Sequence, residues 1–238
     1  MIPDVLSNHI LFVDIETVTA EASYDDLSER MQRAWQQKAQ VLYPEAPVDE
    51  LYFERGGIYA EFGKIIVISV GFFHTLEDET VELRVKCISG KDERELLENF
   101  KQTVLKFDQQ KIRLCAHHGK EFDFPYLCRR MLVQGIELPD CLQLSGKKSW
   151  EVPHLDTMEM WKFGDYKHYT ALTLLATLFG IDYDAEALEG SEINRVYYRD
   201  DNRKAITGHC QQNISLLAQV YLRLRSAPGL DASQIVYV

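Results

Sequence analysis

Two acidic residues at the end of an apolar run are the first side chains that could carry chemistry. Asp14 and Glu16 lie two positions apart in "FVDIET", and apolar residues precede them. Alternate residues of a β-strand point to the same face, so a strand here would hold both carboxylates side by side. Two such carboxylates repel each other unless a cation lies between them. A metal site is therefore one interpretation, and the other is that Asp14 ends the strand while Glu16 lies in solvent.

A third acid, Asp123, lies between a second predicted strand and the helix that follows it. The strand is predicted in "KIRLCAHHG" and the helix in "DFPYLCRRMLVQG". An ionised carboxylate between Phe122 and Phe124 is unfavourable unless a positive charge meets it. Aspartate is also a common helix N-cap, which is the structural alternative. Hard divalent cations prefer clusters of carboxylate oxygens, so three converging acids would form a metal site.

A late helix, "GHCQQNISLLAQVYLRL", carries two further polar candidates. His209 and Asn213 are four residues apart and therefore share one face of the helix. An apolar stripe beside them predicts the buried face, formed by Ile206, Cys210, Ile214, Leu217, Tyr221 and Leu224. The alternative to a functional role is a polar pair at the edge of the core.

The elements that must position these side chains alternate between strands and helices. Strands are predicted at 9–17, 64–75, 79–90, 111–119 and 154–161, and helices at 23–42, 47–57, 91–107, 123–135, 170–180, 192–201 and 203–225. The second and third strands predict an antiparallel hairpin. The order predicts an α/β fold in which helices flank a mixed central sheet. We expect one domain over 1–238, with a helical insertion at about 21–63 that lies over the mouth of the site.

Composition restricts the function classes. The chain has 238 residues and a formal net charge of -11, which argues against a protein that coats nucleic acid by neutralising phosphates. An enzyme that contacts nucleic acid locally stays open, because bound divalent metals would supply positive charge at that point. The apolar runs are too short to span a bilayer, so no membrane contact is expected.

The cysteines and the start of the chain indicate a compartment. The 5 cysteines are scattered without a CxxC pair, which fits a reducing environment better than a disulfide framework. The first residues, "MIPDVLSNHI", lack the basic region of a signal peptide. These features predict a cytoplasmic location.

The motifs resemble those of a known enzyme family. "FVDIET" resembles the first motif of the DnaQ-like (DEDD) 3′–5′ exonucleases, and "HHGKEFDFPYL" resembles the second. "GGIYAEFGKIIVISVGFF" and "HLDTMEMWKFGDYKHYTALTLLATLFGI" are similar to predicted exonucleases related to the proofreading domain of family-B DNA polymerases. The resemblance covers nearly the whole chain. It implies a ribonuclease H-like fold in which four acids hold two metal ions.

The resemblance implies specific roles for the candidate residues. Asp14, Glu16 and Asp123 correspond to metal ligands for two Mg²⁺ or Mn²⁺ ions, and the expected substrate is a 3′ end of DNA or RNA. His209 lies where the family has tyrosine, and Asn213 lies where it has the fourth aspartate. An amide oxygen can ligate a metal but brings no charge, so the second ion would be held weakly. A neutral imidazole can take a proton from water, which makes His209 a candidate general base.

Two functions therefore stay open. One is metal-dependent 3′–5′ exonuclease activity, weakened by the departure in the third motif. The other is a catalytically inactive nucleic-acid-binding or scaffold module that keeps the fold. His118, which replaces the usual asparagine of the second motif, adds to the second possibility. Since no polymerase region is recognised, a proofreading role would need a separate polymerase or repair partner.

Basic and aromatic residues near these motifs are candidates for substrate binding. Lys120 flanks the second motif, and Lys147 and Lys148 lie close to Trp150 in a predicted loop. Such residues can contact phosphates and stack on bases, or they can simply form a solvated surface. A solvated face is the favoured interpretation for Arg129 and Arg130. The remaining candidates, Tyr166, His168, Tyr169 and Asp156, are expected to have packing or structural roles.

Overall fold

A six-stranded mixed sheet forms the centre of the molecule. The structure is a computed structural model, and it describes residues 5–165, 169–184 and 188–238. The strands are β1 (Ile10–Thr19), β2 (Gly63–Thr75), β3 (Val81–Ser89), β4 (Arg113–Ala116), β5 (Leu155–Asp156) and β6 (Ile235–Tyr237). Their order across the sheet is β5-β4-β1-β2-β3-β6. β2 is antiparallel to β1 and β3, whereas the pairs β1/β4, β4/β5 and β3/β6 are parallel.

Helices cover both faces of this sheet. They are α1 (Glu29–Leu42), α2 (Val48–Arg55), α3 (Glu93–Val104), α4 (Asp123–Val133), α5 (Thr157–Lys162), α6 (Leu172–Leu178), α7 (Ile193–Tyr198) and α8 (Arg203–Leu224). The predicted α/β architecture, a mixed sheet with flanking helices, is confirmed. Within the described ranges, none of the helices combines the length and the apolar character needed to cross a membrane.

The two faces of β1 pack against different helices. Val13 and Ile15 join a buried cluster with side chains of α3 and α4. Phe12 joins a second cluster with side chains of α8. Because side chains alternate along a strand, Asp14 and Glu16 continue the row of Phe12 and point toward α8. The chain thus places two acids at the boundary between sheet and helix.

A glycine lets α8 pack closely on the sheet. Gly71 of β2 pairs with Phe12 of β1, and a Cβ atom at Gly71 would lie 2.5 Å from Cγ2 of Ile214 in α8. Real Cβ atoms essentially never come that close to another heavy atom. The absence of a side chain at this position therefore fixes the distance between the sheet and the helix that carries His209 and Asn213.

The segment between β1 and β2 builds its own small core. Trp35 of α1 is fully buried, and its ring packs edge-on against Tyr52 and Phe62 at centroid distances of 5.5 and 5.1 Å. Trp35 Nε1 donates a hydrogen bond of 2.9 Å to the carbonyl of Val48. The helices predicted in this segment are present, but a short 3-10 turn and the N-cap Ser28 precede α1.

Two element predictions are wrong in part. Only Leu155–Asp156 of the strand predicted at 154–161 is extended, and the rest forms α5. The carboxylate of Asp156 accepts hydrogen bonds from the N–H groups of Met158 and Glu159, which starts the helix there. The short strand β6 was not predicted, because three residues carry too little pattern to be recognised.

Arg130 corrects another expectation. Its guanidinium lies against the carboxylate of Glu93 in α3, with Nε 2.9 Å from Oε1, and Nη1 donates to the carbonyl of Ala60. The Arg130 side chain is only 10% exposed, so this residue is neither on a solvated face nor available to phosphate. Its neighbour Arg129 is exposed, as expected.

Candidate active site

β1 carries Asp14 and Glu16 to the place where its pairing with β2 becomes irregular. Asp14 pairs with Ser69 and Glu16 with Val67, and the register then shifts between Glu16 and Thr17. An irregularity of this kind locally increases the twist of a strand and redirects the side chains beside it. Glu16 is 7% exposed, and both acids point into the space in front of α8.

Asp123 reaches the same space from the other side of β1. It is the first residue of α4, and Phe122 occupies the N-cap position without a capping side-chain hydrogen bond. The structural alternative for Asp123, an N-cap, is therefore wrong. Asp123 is 5% exposed, and its charge acts on Glu16. Phe124 is fully buried next to it, as the packing of the strand–helix junction requires.

The loop between β4 and α4 is held in one conformation by Asp156. Its two carboxylate oxygens accept hydrogen bonds from the N–H groups of His118 and Lys120, at 3.0 and 3.1 Å. A Cβ at Gly119 would lie 2.3 Å from Cβ of Ala116, so the turn has room for glycine only. The structural role expected for Asp156 agrees with these contacts, and the role is to fix the approach to Asp123.

α8 places His209 and Asn213 opposite the acids of β1. Nδ2 of Asn213 donates to Oδ2 of Asp14 over 3.2 Å, and it also lies 3.2 Å from Nε2 of His209. An amide N–H can only donate, so Nε2 of His209 is the acceptor in this arrangement. The same nitrogen lies 3.5 Å from Oε1 of Glu16. His209, Asn213, Asp14 and Glu16 thus form one continuous polar cluster.

The acids of this cluster resist ionisation without a cation. Burial raises the pKa of Asp14 to about 6, although hydrogen bonds from Cys210 and Asn213 lower it in part. Burial and the charges of Asp14 and Asp123 raise the pKa of Glu16 well above its usual value. Burial and the charge of Asp14 also raise the pKa of Asp123 strongly. A nearby positive ion would reverse all three effects.

The donor atoms at this point fit a divalent metal. Among the described residues, ligand atoms of Asp14, Glu16 and Cys210 lie within 4.8 Å of one another. Carboxylate oxygens that are buried, close together and poor in hydrogen-bond donors are suited to Mg²⁺ or Mn²⁺. Cys210 was expected only in the buried stripe of the helix, and the sequence gives no sign that its thiol faces Asp14.

An open cleft of about 750 Å³ leads to these acids. Its lining includes all five predicted catalytic residues: Asp14, Glu16, Asp123, His209 and Asn213. A second cleft of about 740 Å³ lies where β1 begins, and its lining contains none of these residues. Ile58 is the residue of the 21–63 segment that lines the first cleft, so α1 and α2 pack beside the mouth rather than across it.

Aromatic and imidazole side chains form one wall of the cleft. Tyr169 is 66% exposed, and its ring lies 5.6 Å from that of His118. Burial and the charges of Asp123 and Asp14 raise the pKa of Tyr169. The expectation that Tyr169 is a packing residue is therefore wrong. Tyr166 and His168, which were expected to behave similarly, lie outside the described residues.

The predicted substrate-binding residues lie outside the lining of this cleft. Nζ of Lys120 is 2.8 Å from Oε2 of Glu159, and the Lys120 side chain is 10% exposed. Trp150 is 76% exposed, with Nζ of Lys148 5.1 Å from the centre of its ring. Lys147 and Lys148 are exposed as well. The structure thus separates Lys120, which is held in an ion pair, from the open loop around Trp150.

Comparisons with known proteins agree with this arrangement. A family model described as "Predicted 3'-5' exonuclease related to the exonuclease domain of PolB" matches residues 58–234. The search of curated proteins found no match. Among solved structures, the family B DNA polymerase from the hyperthermophilic archaeon Pyrobaculum calidifontis is similar, with 16% identity and a TM-score of 0.51.

That similarity covers 92% of this chain but only 27% of the polymerase. At such low identity the likeness shows a shared fold, which is the ribonuclease H-like fold expected from the sequence motifs. The family match shows more, because it covers most of the chain, including the second and third motifs. The chain therefore belongs to the family of predicted 3′–5′ exonucleases related to the exonuclease domain of PolB.

Proposed function

We propose that this protein is a metal-dependent exonuclease that hydrolyses phosphodiester bonds at nucleic-acid 3′ ends. The observation that carries the proposal is the convergence of Asp14, Glu16 and Asp123, three buried or partly buried carboxyls whose pKa values are raised without a cation. These residues would hold two Mg²⁺ or Mn²⁺ ions. The ions would supply an activated water and charge stabilisation for the leaving 3′ oxygen.

Asn213 takes the place of a fourth acid in this proposal. Its amide nitrogen donates to Asp14 in the present orientation, so the amide supports that carboxylate. Ligation through the amide oxygen needs the opposite orientation of the amide. In either orientation Asn213 adds no negative charge, so we expect the second ion to be bound weakly.

His209 is suited to accept a proton from water. Its Nε2 is an acceptor toward Asn213, which places the hydrogen of the neutral ring on Nδ1. Burial lowers the pKa of His209, so the neutral form predominates at neutral pH. Glu16, 3.5 Å away, would stabilise the imidazolium that forms when Nε2 takes a proton. These features support His209 as the general base.

The substrate and the setting follow from the same proposal. Lys147, Lys148 and Trp150 form an exposed loop that would contact the nucleic acid by phosphate pairing and stacking. Lys120 would act only if its ion pair with Glu159 opened. The 5 cysteines are all free thiols, which supports a cytoplasmic location. A polymerase or repair protein would be a separate partner.

Release of mononucleotides from a labelled 3′ end tests the proposal. Single-stranded DNA and RNA with a 3′-terminal label are incubated with the protein at increasing Mg²⁺ or Mn²⁺. We expect metal-dependent release that Asp14→Ala abolishes, while Asp25→Ala, which removes an exposed acid of the 21–63 segment, leaves it unchanged.

Two results would contradict activity. Release that persists in Asp14→Ala would come from a contaminant. No release at any metal concentration, with intact binding of the oligonucleotide, would support an inactive binding module instead.

A further inference from the structure

The cleft by itself is poorly suited to hold a polyanion. Among the described residues, the acids Asp14, Glu16, Asp123, Asp184 and Glu189 line it, and none of the lining residues is lysine or arginine. Two metal ions would neutralise the phosphate at the scissile bond. The phosphates that precede it along the strand need positive charge from another part of the surface.

A group of stacked cations lies beside the cleft, and we call it the cation–aromatic strip. It consists of Phe53, Lys64, Tyr197, Tyr198, Arg199 and Arg203. The guanidinium carbon of Arg199 is 4.3 Å from the ring centre of Phe53, and that of Arg203 is 4.7 Å from the ring centre of Tyr197. Nζ of Lys64 lies 5.4 Å from the ring centre of Tyr198.

The strip is tied to the strand that carries the acids. The Tyr198 hydroxyl donates to the carbonyl of Thr19 over 2.7 Å, and Thr19 N–H donates to Oδ1 of Asn194 over 2.9 Å. Thr17, two residues before Thr19, lines the cleft. Two residues of a β-strand span about 7 Å, so the strip begins within about one nucleotide of the cleft wall.

The cations of the strip are placed to meet phosphates. Arg199 is exposed, and in the described part of the chain no carboxylate oxygen lies within 4.0 Å of its guanidinium nitrogens. A guanidinium that stacks on a ring through its face keeps its N–H edge open. Arg203 continues into a pocket of about 150 Å³ that Lys91 and Thr207 also line.

Lys64 has a different part. Its Nζ donates to the carbonyl of Ala20 over 2.9 Å, and burial lowers its pKa. This lysine therefore orders the aromatic rings more than it offers charge to a ligand. The free charges of the surface are those of Arg199, Arg203 and Lys91, in a chain whose net charge is -11.

We propose that the cation–aromatic strip binds the sugar–phosphate backbone of a single strand on the 5′ side of the terminal nucleotide. Arg199, Arg203 and Lys91 contact the phosphates, and the exposed parts of Phe53 and Tyr197 offer faces for base stacking. This inference rests on the proposed exonuclease function, because it assigns the path of that enzyme's substrate. Single-stranded DNA and RNA share the chemistry.

Binding of labelled oligonucleotides in EDTA tests the proposal without turnover. Fluorescence anisotropy is measured with a single strand of about 12 nucleotides, a length that a single-strand site of this type can cover. We compare the wild type with Arg199→Glu, Phe53→Leu and the control Arg33→Glu, which reverses an exposed charge on α1. We expect Arg199→Glu to weaken binding by about 10-fold and to reduce the slope of log affinity against log salt by about 1 or more.

The remaining arms separate the alternatives. Phe53→Leu keeps an apolar side chain and should weaken binding less than Arg199→Glu, while Arg33→Glu should have little effect. Release of the terminal nucleotide from a dinucleotide, which is too short to reach the strip, should be unchanged in Arg199→Glu.

Three outcomes overturn the inference. One is unchanged 12-nucleotide binding in Arg199→Glu together with a loss in Lys147→Glu or Lys148→Glu, which would place the strand on the Trp150 loop. Another is equal affinity of the wild type for oligoglutamate, which would assign the strip to an acidic protein partner. A third is an effect of Arg33→Glu as large as that of Arg199→Glu, which would reflect overall charge. In each case, metal-dependent release from a 3′ end would still support the exonuclease function.

Discussion

Asn213 donates a hydrogen bond of 3.2 Å from Nδ2 to Oδ2 of Asp14, so an uncharged amide lies beside the first acid of the site. The motif resemblance places an aspartate at this position. The amide lowers the pKa of the Asp14 carboxyl, where a fourth carboxylate would raise it further. The site is thus less repulsive without metal, and its negative charge available to a metal is smaller.

Replacing Asn213 with aspartate should strengthen metal binding. The change adds a negative charge to a site that faces divalent ions, with little change in shape. We expect Asn213→Asp to raise metal affinity by about 10-fold or more, to lower the Mg²⁺ concentration for half-maximal activity and to increase turnover. Calorimetric titration and the 3′-release assay measure the two effects.

Asn202→Asp is the matched control for this variant. It adds the same charge to the same helix, but Asn202 is the N-cap of α8, where aspartate is equally suitable. Equal metal affinity in Asn213→Asp and Asn202→Asp would show that Asn213 is not at the fourth ligand position.

The raised carboxyl pKa values predict how stability depends on pH and metal. Asp14, Glu16 and Asp123 bind protons more tightly in the folded, metal-free protein than in the unfolded chain. Their stabilising contribution is greatest below the ordinary carboxyl pKa and is lost as pH rises through the folded-state value, about 6 for Asp14. In EDTA, this contribution should lower the melting temperature between about pH 5 and pH 8.

Divalent metal should reverse this trend. The increase in melting temperature caused by Mn²⁺ should be larger at about pH 8 than at about pH 5, because protonated carboxyls bind metal poorly. The same measurement on Asp14→Asn should show a smaller difference between the two pH values. A Mn²⁺ effect that is independent of pH would mean that these carboxyls do not hold the ion.

The pH dependence of the rate tests His209 as the base. Burial lowers the pKa of His209 below the ordinary value, and only the neutral ring accepts a proton. The activity should therefore rise with pH and level off below about 6.5. His209→Ala should remove this rise, and His209→Tyr should remove it or move it to higher pH.

His74→Ala provides the matched control, since His74 lines the second cleft where β1 begins. That variant should keep the wild-type pH profile. If the profile of His209→Ala also equals that of the wild type, His209 does not act as the base.

Gly71 predicts a packing effect that reaches the site. A Cβ there would lie 2.5 Å from Cγ2 of Ile214, so Gly71→Ala should displace α8 and destabilise the protein by about 1–3 kcal/mol. Because α8 carries Asn213 and His209, metal affinity should fall as well. Chemical denaturation and calorimetric titration give the two quantities.

Gly208 offers the opposite substitution on the same helix. A Cβ at Gly208 meets no atom within 4 Å, so Gly208→Ala should stabilise the helix by up to about 1 kcal/mol. The contrast between the two variants isolates the contact with Ile214. Equal stability in both would mean that α8 shifts freely on the sheet.

The sequence predicted most elements because their patterns are strong and local. The hairpin of β2 and β3 and the long helix α8 were expected at nearly their observed positions. The strand expected at 154–161 became α5 after two residues, because the Asp156 carboxylate caps a helix there. A side-chain hydrogen bond of this kind leaves no mark on hydrophobic periodicity.

The candidate site divides in the same way. Residue type and spacing determined that Asp14 and Glu16 share a strand face and that His209 and Asn213 share a helix face, because each pair lies within one element of fixed period. Only the tertiary structure decided that the two faces meet. That contact depends on packing of distant segments, such as Ile214 over Gly71.

The tertiary structure also decided which charged residues are available. Arg129 and Arg130 are adjacent in the sequence, yet the first is exposed and the second is held by Glu93 inside the protein. Arg199 drew no attention in the sequence and emerges on the surface, stacked on Phe53 from a segment far away in the chain. Sequence determines which side chains carry charge, but burial and ion pairing come from long-range contacts, so only the fold decides which charges can meet a substrate.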